Sequence, residues 1–228
     1  MSGHGGQLAC RPVEPVVRLA DVVSVVGGFP VLAGASLEVA RGEIVLLRGA
    51  NGAGKTSLLR VCAGLLPVQR GEAVVAGVDL VADRWAVRSR VGLLGHSNGL
   101  YHDLSVAENV SFWGATVDAT AAEVQAAMER MGLADRLAGV TVGRLSAGQR
   151  RRTALACLVA RRARVWLLDE PHAGLDAAGR DELDSTLRDA AAAGATVIVA
   201  SHELERAGAL ASRVLEVVGG CVRAGGSA

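Results

Sequence analysis

The chain has 228 residues, half of them hydrophobic, and a formal net charge of +1. This apolar content excludes an intrinsically disordered polymer, and the length excludes a very small scaffold that needs disulfides or metals to fold. The near-neutral charge gives no global field for nucleic acid or an acidic membrane, so we expect no nucleic-acid partner. Of the 24 basic residues, 23 are Arg and the single Lys is Lys55.

Cysteine spacing and hydropathy indicate in which cellular compartment the chain functions. Cys10, Cys62, Cys157 and Cys221 are too far apart in sequence for a CxxC or zinc-type pair, which favours buried thiols in a reducing compartment. We find no signal-peptide pattern, and the longest uncharged stretch, residues 22–37, is too short to span a bilayer. We therefore expect a cytoplasmic chain whose membrane contact comes only through partners.

The first part of the chain predicts strands and then a strand–loop–helix unit. Residues 1–15 carry Gly, Pro and polar residues typical of a loose tail, and short apolar runs over 16–39 predict strands. A compact apolar strand over 43–48 leads into a glycine-rich loop. A helix is predicted over 57–63 and closes at Gly64.

The second part alternates helices with short apolar strands. Thr120 and Glu123 predict a capping box for a helix over 118–131, and Ser146 and Gln149 predict one for a long helix to about residue 162. The later predicted elements are a strand at 165–168, a helix at 177–193, a strand at 196–200 and a strand near 214–218. This alternation predicts an α/β fold with a mainly parallel sheet.

The glycine-rich loop carries the first chemical motif. It matches G-x-x-x-x-G-K-[ST], a phosphate-binding loop that ends in Lys55 and Thr56. Backbone N–H groups of such a loop surround phosphates, Lys55 reaches the β- and γ-phosphates, and the Thr56 hydroxyl ligates Mg²⁺. With the following serine, the candidate binding residues are Gly49, Ala50, Asn51, Gly52, Ala53, Gly54, Lys55, Thr56 and Ser57.

A pair of carboxylates follows the apolar strand at 165–168. Asp169 and Glu170 fall at the carboxyl edge of a predicted parallel sheet, where α/β proteins bind ligands. We expect Asp169 to hold Mg²⁺ through water and Glu170 to polarise the attacking water.

Several motifs together resemble the nucleotide-binding domains of the ATP-binding-cassette (ABC) family. The resemblance covers about residues 16–220. It includes, in the family's order, the segments Gly174–Asp176 and Ser201–His202. It also includes a segment that looks like the family's signature, made of Leu145, Ser146, Ala147, Gly148 and Gln149. Alone this segment is equally consistent with an ordinary helix N-cap, and the co-occurrence of the motifs makes the resemblance specific.

The resemblance implies a P-loop NTPase (RecA-like) core with an N-terminal antiparallel β region and a helical subdomain inserted at about 97–150. It also implies a single ABC ATPase domain over 16–220, followed by a short tail at 221–228. Two such domains of a homodimer sandwich ATP head-to-tail, between one phosphate loop and the partner's signature. Asp176 then communicates across the interface, and His202 contacts the γ-phosphate. Transmembrane permease subunits on separate chains complete such a transporter, with the ATPase at the cytoplasmic face of the cell membrane.

Two positions depart from the common family pattern. His96 occupies the place of the usual Gln, and its imidazole can bind a metal or accept a hydrogen bond near Mg²⁺ and the attacking water. Val26 stands where an aromatic often stacks on adenine, with Phe29 as the nearest ring.

A finer resemblance links the chain to the ATP-binding subunits of haem exporters used in cytochrome c maturation. It rests on Gly95, His96 and the segments at 99–105 and 108–113. The resemblance implies export of haem or release of a haem intermediate. The alternatives are the ATPase of a drug, lipid or polysaccharide exporter, and a soluble ABC ATPase outside transport.

Two side-chain clusters allow more than one interpretation. Tyr101, Phe112 and Trp113 are consistent either with core packing of the helical subdomain or with a groove for a helix of the membrane subunit. The arginines at 150–152 are consistent either with a solvated helix face or with a contact to the partner's nucleotide or the membrane subunit.

Overall fold

A computed structural model describes residues 14–225 of the chain. Nearly all of the predicted N-terminal tail, including Cys10, lies outside the described residues, as do residues 226–228.

The centre of the fold is a six-stranded, mainly parallel sheet. Its strands lie in the order β10-β9-β3-β8-β7-β6, and only the pairing of β10 with β9 is antiparallel. The strands are β3 (Ile44–Arg48), β6 (Val91–Leu94), β7 (Val165–Asp169), β8 (Thr196–Ala200), β9 (Arg213–Val218) and β10 (Cys221–Ala224).

The central strands are apolar on both faces because both faces are covered. Successive side chains of a strand point to opposite faces, so Val45 and Leu47 of β3 enter one core while Ile44 and Leu46 enter the other. The same alternation divides β7 and β8 between the two cores. These continuous apolar runs explain why the parallel strands could be predicted from the sequence.

A second, antiparallel sheet is built from the N-terminal half. Its order is β2-β1-β4-β5, with β1 (Val17–Val26), β2 (Phe29–Val39), β4 (Arg70–Val75) and β5 (Val78–Asp79). Apolar residues of this sheet share a core with helix α1 (Lys55–Cys62) and one face of the parallel sheet. The predicted N-terminal antiparallel region is therefore confirmed.

The remaining helices divide between the two cores: the first of them contributes Leu80 to the core shared with the antiparallel sheet, and the other five contribute to the core on the other face of the parallel sheet. They are α2 (Leu80–Asp83), α3 (Val106–Ala115), α4 (Ala121–Arg130), α5 (Ala147–Ala160), α6 (Ala177–Ala192) and α7 (Leu204–Leu210). Both predicted capping boxes are present, at Thr120 for α4 and Ser146 for α5, and Ser105 forms a further one for α3. Helices α3 and α4 lie between β6 and α5 in sequence and both pack against α5.

One expectation for the C-terminus is wrong. Residues 221–224, predicted as part of a tail, form the edge strand β10, which pairs with β9. Gly219 and Gly220 make the connecting turn, with φ of 55° and 78°. A two-residue turn with positive φ at both positions is the preferred hairpin connection, so this Gly-Gly pair was the signal for the strand.

Two further predictions, buried cysteine thiols and no membrane-spanning segment, can be compared with the structure over residues 14–225. Cys62 and Cys157 are buried, as expected, whereas Cys221 is only half-buried, and all three are free thiols. None of the helices within residues 14–225 is long and apolar enough to cross a membrane.

Candidate nucleotide site

The glycine-rich loop lies at the carboxyl end of β3 and leads directly into α1. Its conformation requires glycine at two positions at least. Gly49 has φ of 150° and Gly54 has φ of 112°, and a Cβ on Gly49 would lie 2.3 Å from the carbonyl oxygen of Val217. Helix α1 begins at Lys55, so its first N–H groups face the loop, as an anion-binding helix start requires.

Lys55 is buried, and its ammonium lies against the backbone of the same loop. Nζ donates hydrogen bonds to the carbonyl oxygens of Gly49, at 2.6 Å, and Ala50, at 3.1 Å. The only lysine of the chain is thus held at the point where the loop curves, with its charge directed into the loop rather than into solvent.

The next residue of α1 connects the loop to β7. The Thr56 hydroxyl donates a 2.7 Å hydrogen bond to Oδ2 of Asp169, although the two residues are 113 positions apart. Strands β3 and β7 flank β8 in the sheet, and their parallel direction brings both ends to one edge. A hydroxyl and a carboxylate oxygen therefore lie side by side, which is the hard-oxygen chemistry that Mg²⁺ prefers.

Glu170 follows Asp169 at the same edge, with an unusual backbone. Its φ of 48° lies in the left-handed region, which a residue with a side chain rarely adopts. Oε2 accepts hydrogen bonds from the Ser201 hydroxyl, at 3.5 Å, and from the His202 N–H, at 3.3 Å. Oε1 is buried and makes no hydrogen bond within the described residues, and the Nε2 of His202 is 3.4 Å from it.

Most of the predicted ATP-binding and catalytic residues line one cleft of about 640 Å³. The cleft is lined by loop residues 50–57 together with His96, Asp169, Glu170 and His202. His96 reaches it because it follows β6, whose carboxyl end lies at the same edge of the sheet as that of β7. Phe29 is exposed, with 75% of its surface accessible, and Pro30 and Val31 line the cleft in its vicinity.

The signature lies at the start of α5 and does not line this cleft within the described part of the chain. Ser146 and Ala147 are exposed, and Ser146 caps α5 by accepting a 3.2 Å hydrogen bond from the Gln149 N–H. Leu145 is buried in the helical core. Gly148 packs against Gly174, whose carbonyl oxygen would lie 2.9 Å from an added Cβ.

Asp176 connects the signature helix to the segment after β7. Its Oδ1 accepts a 2.9 Å hydrogen bond from the Gly179 N–H at the start of α6 and a 2.7 Å bond from Nη2 of Arg152. These two contacts, the backbone N–H first and the guanidinium second, lower the pKa of the Asp176 carboxyl. The carboxylate therefore stays ionised on an exposed surface beside α5.

The arginine run at 150–152 is not simply a solvated helix face. Arg152 pairs with Asp176, and Arg151 is buried, with 5% of its surface exposed, behind the end of β7. The inward direction of Arg151 was not predicted from the sequence, because three consecutive arginines on a helix do not indicate which one points inward.

A second polar side chain that sequence analysis missed is His172, which is also buried. Its Nε2 lies 2.7 Å from Oδ1 of Asp184 on α6, and Oδ2 of Asp184 accepts a 2.7 Å hydrogen bond from Arg206 on α7. His172 thus links the segment after β7 to α6 and, through Asp184, to α7.

The aromatic cluster of the helical region is largely outside the core. Tyr101 and Phe112 are 48% and 44% exposed, and their rings meet edge to face at 5.0 Å. Trp113 is half-buried and borders an apolar groove of about 340 Å³, where the Arg161 guanidinium lies 5.0 Å from its ring centroid. Packing in the core therefore buries part of the Trp113 side chain but leaves much of the Tyr101 and Phe112 side chains exposed.

Comparison with known proteins identifies the family to which the chain is similar. Residues 32–173 match the ABC transporter family. The cytochrome c biogenesis ATP-binding export protein CcmA of Chelativorans sp. is 41% identical over 177 residues, 77% of this chain and 86% of that protein. CcmA of Paramagnetospirillum magneticum is 42% identical over 186 residues, 80% of this chain and 85% of that protein. The daunorubicin resistance ATP-binding protein DrrA3 of Streptomyces coeruleorubidus is 39% identical over 206 residues, 89% of this chain and 65% of that protein.

Solved structures of ABC ATP-binding domains have the same fold as this chain. The ATP-binding subunit of an ABC transporter superposes with a TM-score of 0.85 at 23% identity, over 93% of this chain and 90% of that one. A dimeric ATP-binding cassette bound to ADP and Pi superposes with a TM-score of 0.77 at 22% identity, over 91% and 96% of the two chains. The phosphate loop, the carboxylates at the end of β7 and the family match lead to one assignment: the chain belongs to the ABC transporter family, as an ATP-binding subunit related to the CcmA proteins of cytochrome c biogenesis.

Proposed function

We propose that the chain hydrolyses ATP with Mg²⁺, as a head-to-tail homodimer that drives membrane subunits for haem export or the release of haem intermediates. Membership of the ABC family implies ATP hydrolysis. The observation that carries the catalytic part is the hydrogen bond between Thr56 and Asp169, because it places the loop and the acidic pair at one cleft.

Thr56 and Asp169 are the residues proposed to hold Mg²⁺. Two adjacent oxygens suffice, since Mg²⁺ in ATPases is bound by one or two protein side chains together with phosphate oxygens and water. When bound, the ion neutralises charge on the phosphates. Lys55 contributes a second positive charge to the same phosphates.

Glu170 is proposed to orient and polarise the attacking water. Its free Oε1 supports this role, because a buried carboxylate oxygen without a hydrogen-bond donor is available to accept one from water. His202 lies beside it with an exposed ring and is the proposed γ-phosphate contact. His96 is proposed to act near the metal and the water, in the place of the usual glutamine.

The position of the signature supports a dimer. Ser146, Ala147 and Gly148 begin a helix whose N-terminus offers N–H groups to an anion, yet this end lies outside the cleft of its own loop. A second copy of the chain would bring the γ-phosphate of its bound ATP to the N-terminus of α5. Asp176, held next to the signature helix by Arg152, is proposed to communicate across that interface.

The groove beside Trp113 supports docking to the membrane subunits. Leu65 and Trp113 give it an apolar lining, and Arg88 and Arg161 border it. We propose that a helix of a transmembrane permease subunit, on a separate chain, binds there. The ATPase would then lie peripherally at the cytoplasmic face of the cell membrane, in contact with the bilayer only through its partners.

Haem is the proposed substrate, and a drug is the second candidate. The CcmA relatives are named for cytochrome c biogenesis and export, which supports haem as the substrate. The resemblance at Gly95 and His96 supports it as well. The comparable identity of DrrA3 supports an exporter of drugs.

A deletion in the organism that encodes the chain separates the two candidates. We expect loss of covalently bound haem in c-type cytochromes, measured by haem staining, with unchanged resistance to daunorubicin. A wild-type copy should restore the cytochromes and a Lys55→Ala copy should not. Normal c-type cytochromes in the deletion strain would contradict the haem proposal, and increased daunorubicin sensitivity would favour the second candidate.

A further inference from the structure

The guanidinium of Arg151 contacts two of the strand ends that form the nucleotide cleft. It lies in the second turn of α5, two residues after the signature, and is directed into the protein. It donates hydrogen bonds to the carbonyl oxygens of Asp169 (2.9 Å), Glu170 (2.6 Å), Pro171 (3.2 Å) and Gly95 (2.9 Å), and to Oδ1 of Asn98 (3.1 Å).

Arg151 is charged as well as buried. Burial lowers the pKa of its guanidinium to about 10, and the Asp169 and Glu170 carboxylates oppose this decrease. The side chain is therefore protonated at neutral pH, and its planar fork can serve several carbonyl oxygens at once. A buried charge with this many partners fixes the backbone that surrounds it, because each lost hydrogen bond would leave a polar group unsatisfied.

The backbone that Arg151 contacts is the strained part of the site. Glu170 has its left-handed φ of 48° between two of the accepting carbonyls, those of Asp169 and Pro171. Strained residues of this kind persist only where the surroundings hold them. The Glu170 N–H is held from the other side by the Ala200 carbonyl oxygen, at 2.8 Å. Arg151 and β8 together set the direction in which the Glu170 side chain leaves the backbone.

The same guanidinium also holds the segment that carries His96. Gly95 precedes His96 and Asn98 follows it by two positions, and both accept hydrogen bonds from Nη1. The two other arginines of the run make no such link, since Arg152 pairs with Asp176 at the surface and Arg150 is half-buried. The contacts are therefore specific to the middle arginine.

We propose that Arg151 is a positioning residue that sets Glu170 and the His96 segment for hydrolysis, from the helix whose first residues contact the partner's nucleotide. The inference rests on the proposed ATPase function and deepens it. Arg151 lies away from the phosphate loop and is absent from the cleft lining, so it acts on the water-activating side of the reaction and leaves ATP binding to the loop.

The test is Arg151→Gln in the full chain, compared with wild type, Glu170→Gln and the control Arg188→Gln. Arg188 is an exposed arginine of α6, so the control removes the same charge outside the site. We expect kcat for Mg-ATP hydrolysis to fall about tenfold to a hundredfold in Arg151→Gln, as for other small displacements of catalytic groups. The Kd for ATP should stay within about twofold of wild type, because the loop is intact. The control should match wild type in both.

A second readout separates positioning from loss of stability. With saturating Mg-ATP, Arg151→Gln should accumulate an ATP-bound dimer, as expected of Glu170→Gln, whereas a merely destabilised chain gains no dimer. If Arg151→Gln fails to fold, Arg151→Lys, which keeps the charge and loses the fork, should show the same changes to a smaller degree. An unchanged kcat, or a monomer where Glu170→Gln is a dimer, would overturn the inference alone. If the wild-type chain does not hydrolyse Mg-ATP and Glu170→Gln remains a monomer at saturating Mg-ATP, the proposed function itself is overturned.

Discussion

The ammonium of Lys55 lies 2.6 Å from the carbonyl oxygen of Gly49, so that the first and seventh residues of the phosphate loop are in direct contact. The contact places the one lysine of the chain inside a loop whose glycine at position 49 has no room for a Cβ. A guanidinium is larger and planar, which explains why a sequence so rich in arginine retains a lysine here.

Lys55→Ala should abolish ATP binding, with a Kd raised about a hundredfold or more, since charged hydrogen bonds contribute about 1.5 to 3 kcal/mol each. Titration calorimetry with Mg-ATP measures this. Arg60→Ala, on the exposed side of α1, is the control and should bind as wild type. Equal affinities for wild type and Lys55→Ala would refute the loop assignment.

His96→Ala should reduce hydrolysis more than it reduces ATP affinity, because His96 lines the cleft on the side of the acidic pair and not within the loop. We expect kcat to fall about a hundredfold, the lower end of the range for a positioned proton-transfer group. Steady-state kinetics together with a binding titration give the two values. A kcat equal to wild type would make His96 a bystander.

Ser146→Ala and Thr120→Ala form a matched pair, since each removes the capping box of one helix. Each should lower the free energy of unfolding by about 1 kcal/mol, the usual cost of losing an N-cap side chain. Only Ser146→Ala should also weaken ATP-dependent dimerisation and turnover, because Ser146 belongs to the signature. Chemical denaturation and ATPase assays test the pair, and equal loss of activity in both variants would show that stability alone explains the effect.

The cysteines provide a test of packing that is independent of ATP. Burial raises the pKa of the Cys62 and Cys157 thiols to about 12. At pH 8 the reactive thiolate is then roughly one part in ten thousand, so neither should react with iodoacetamide until the chain unfolds. Half-buried Cys221 should react first among the three, as peptide mapping by mass spectrometry would show. Modification of Cys62 at the same rate with and without urea would contradict the packing of α1.

Much of the cleft could be predicted from the sequence because its parts are local. The loop around Lys55 is a contiguous motif, and Asp169 and Glu170 follow a strand whose apolar run marks it as central. A parallel sheet then brings such strand ends to one edge, so their proximity follows from topology. The helix starts at Thr120 and Ser146 were predictable for the same reason, since a capping box is complete within four residues.

What could not be predicted depends on orientation between distant elements. Helix α5 is buried on more than one side, so its sequence lacks the polar and apolar stripes that would reveal which arginine points inward. The direction of Arg151 is decided by where α5 lies under the end of β7. The contact of His172 with Asp184 likewise joins segments whose meeting no periodicity encodes. Strand β10 is a different case, because its Gly-Gly turn was visible in the sequence.

In the proposed mechanism, two copies of the chain enclose ATP between a phosphate loop and a partner's signature. The most direct test of this mechanism is the mass of Glu170→Gln in saturating Mg-ATP, measured by light scattering during size-exclusion chromatography. The variant should bind ATP, fail to turn it over, and elute with twice the 23.3 kDa mass of the single chain. Addition of Ser146→Ala to this variant should shift it toward monomer, and Thr120→Ala should not. A Glu170→Gln chain that binds ATP and remains at 23.3 kDa would contradict this mechanism.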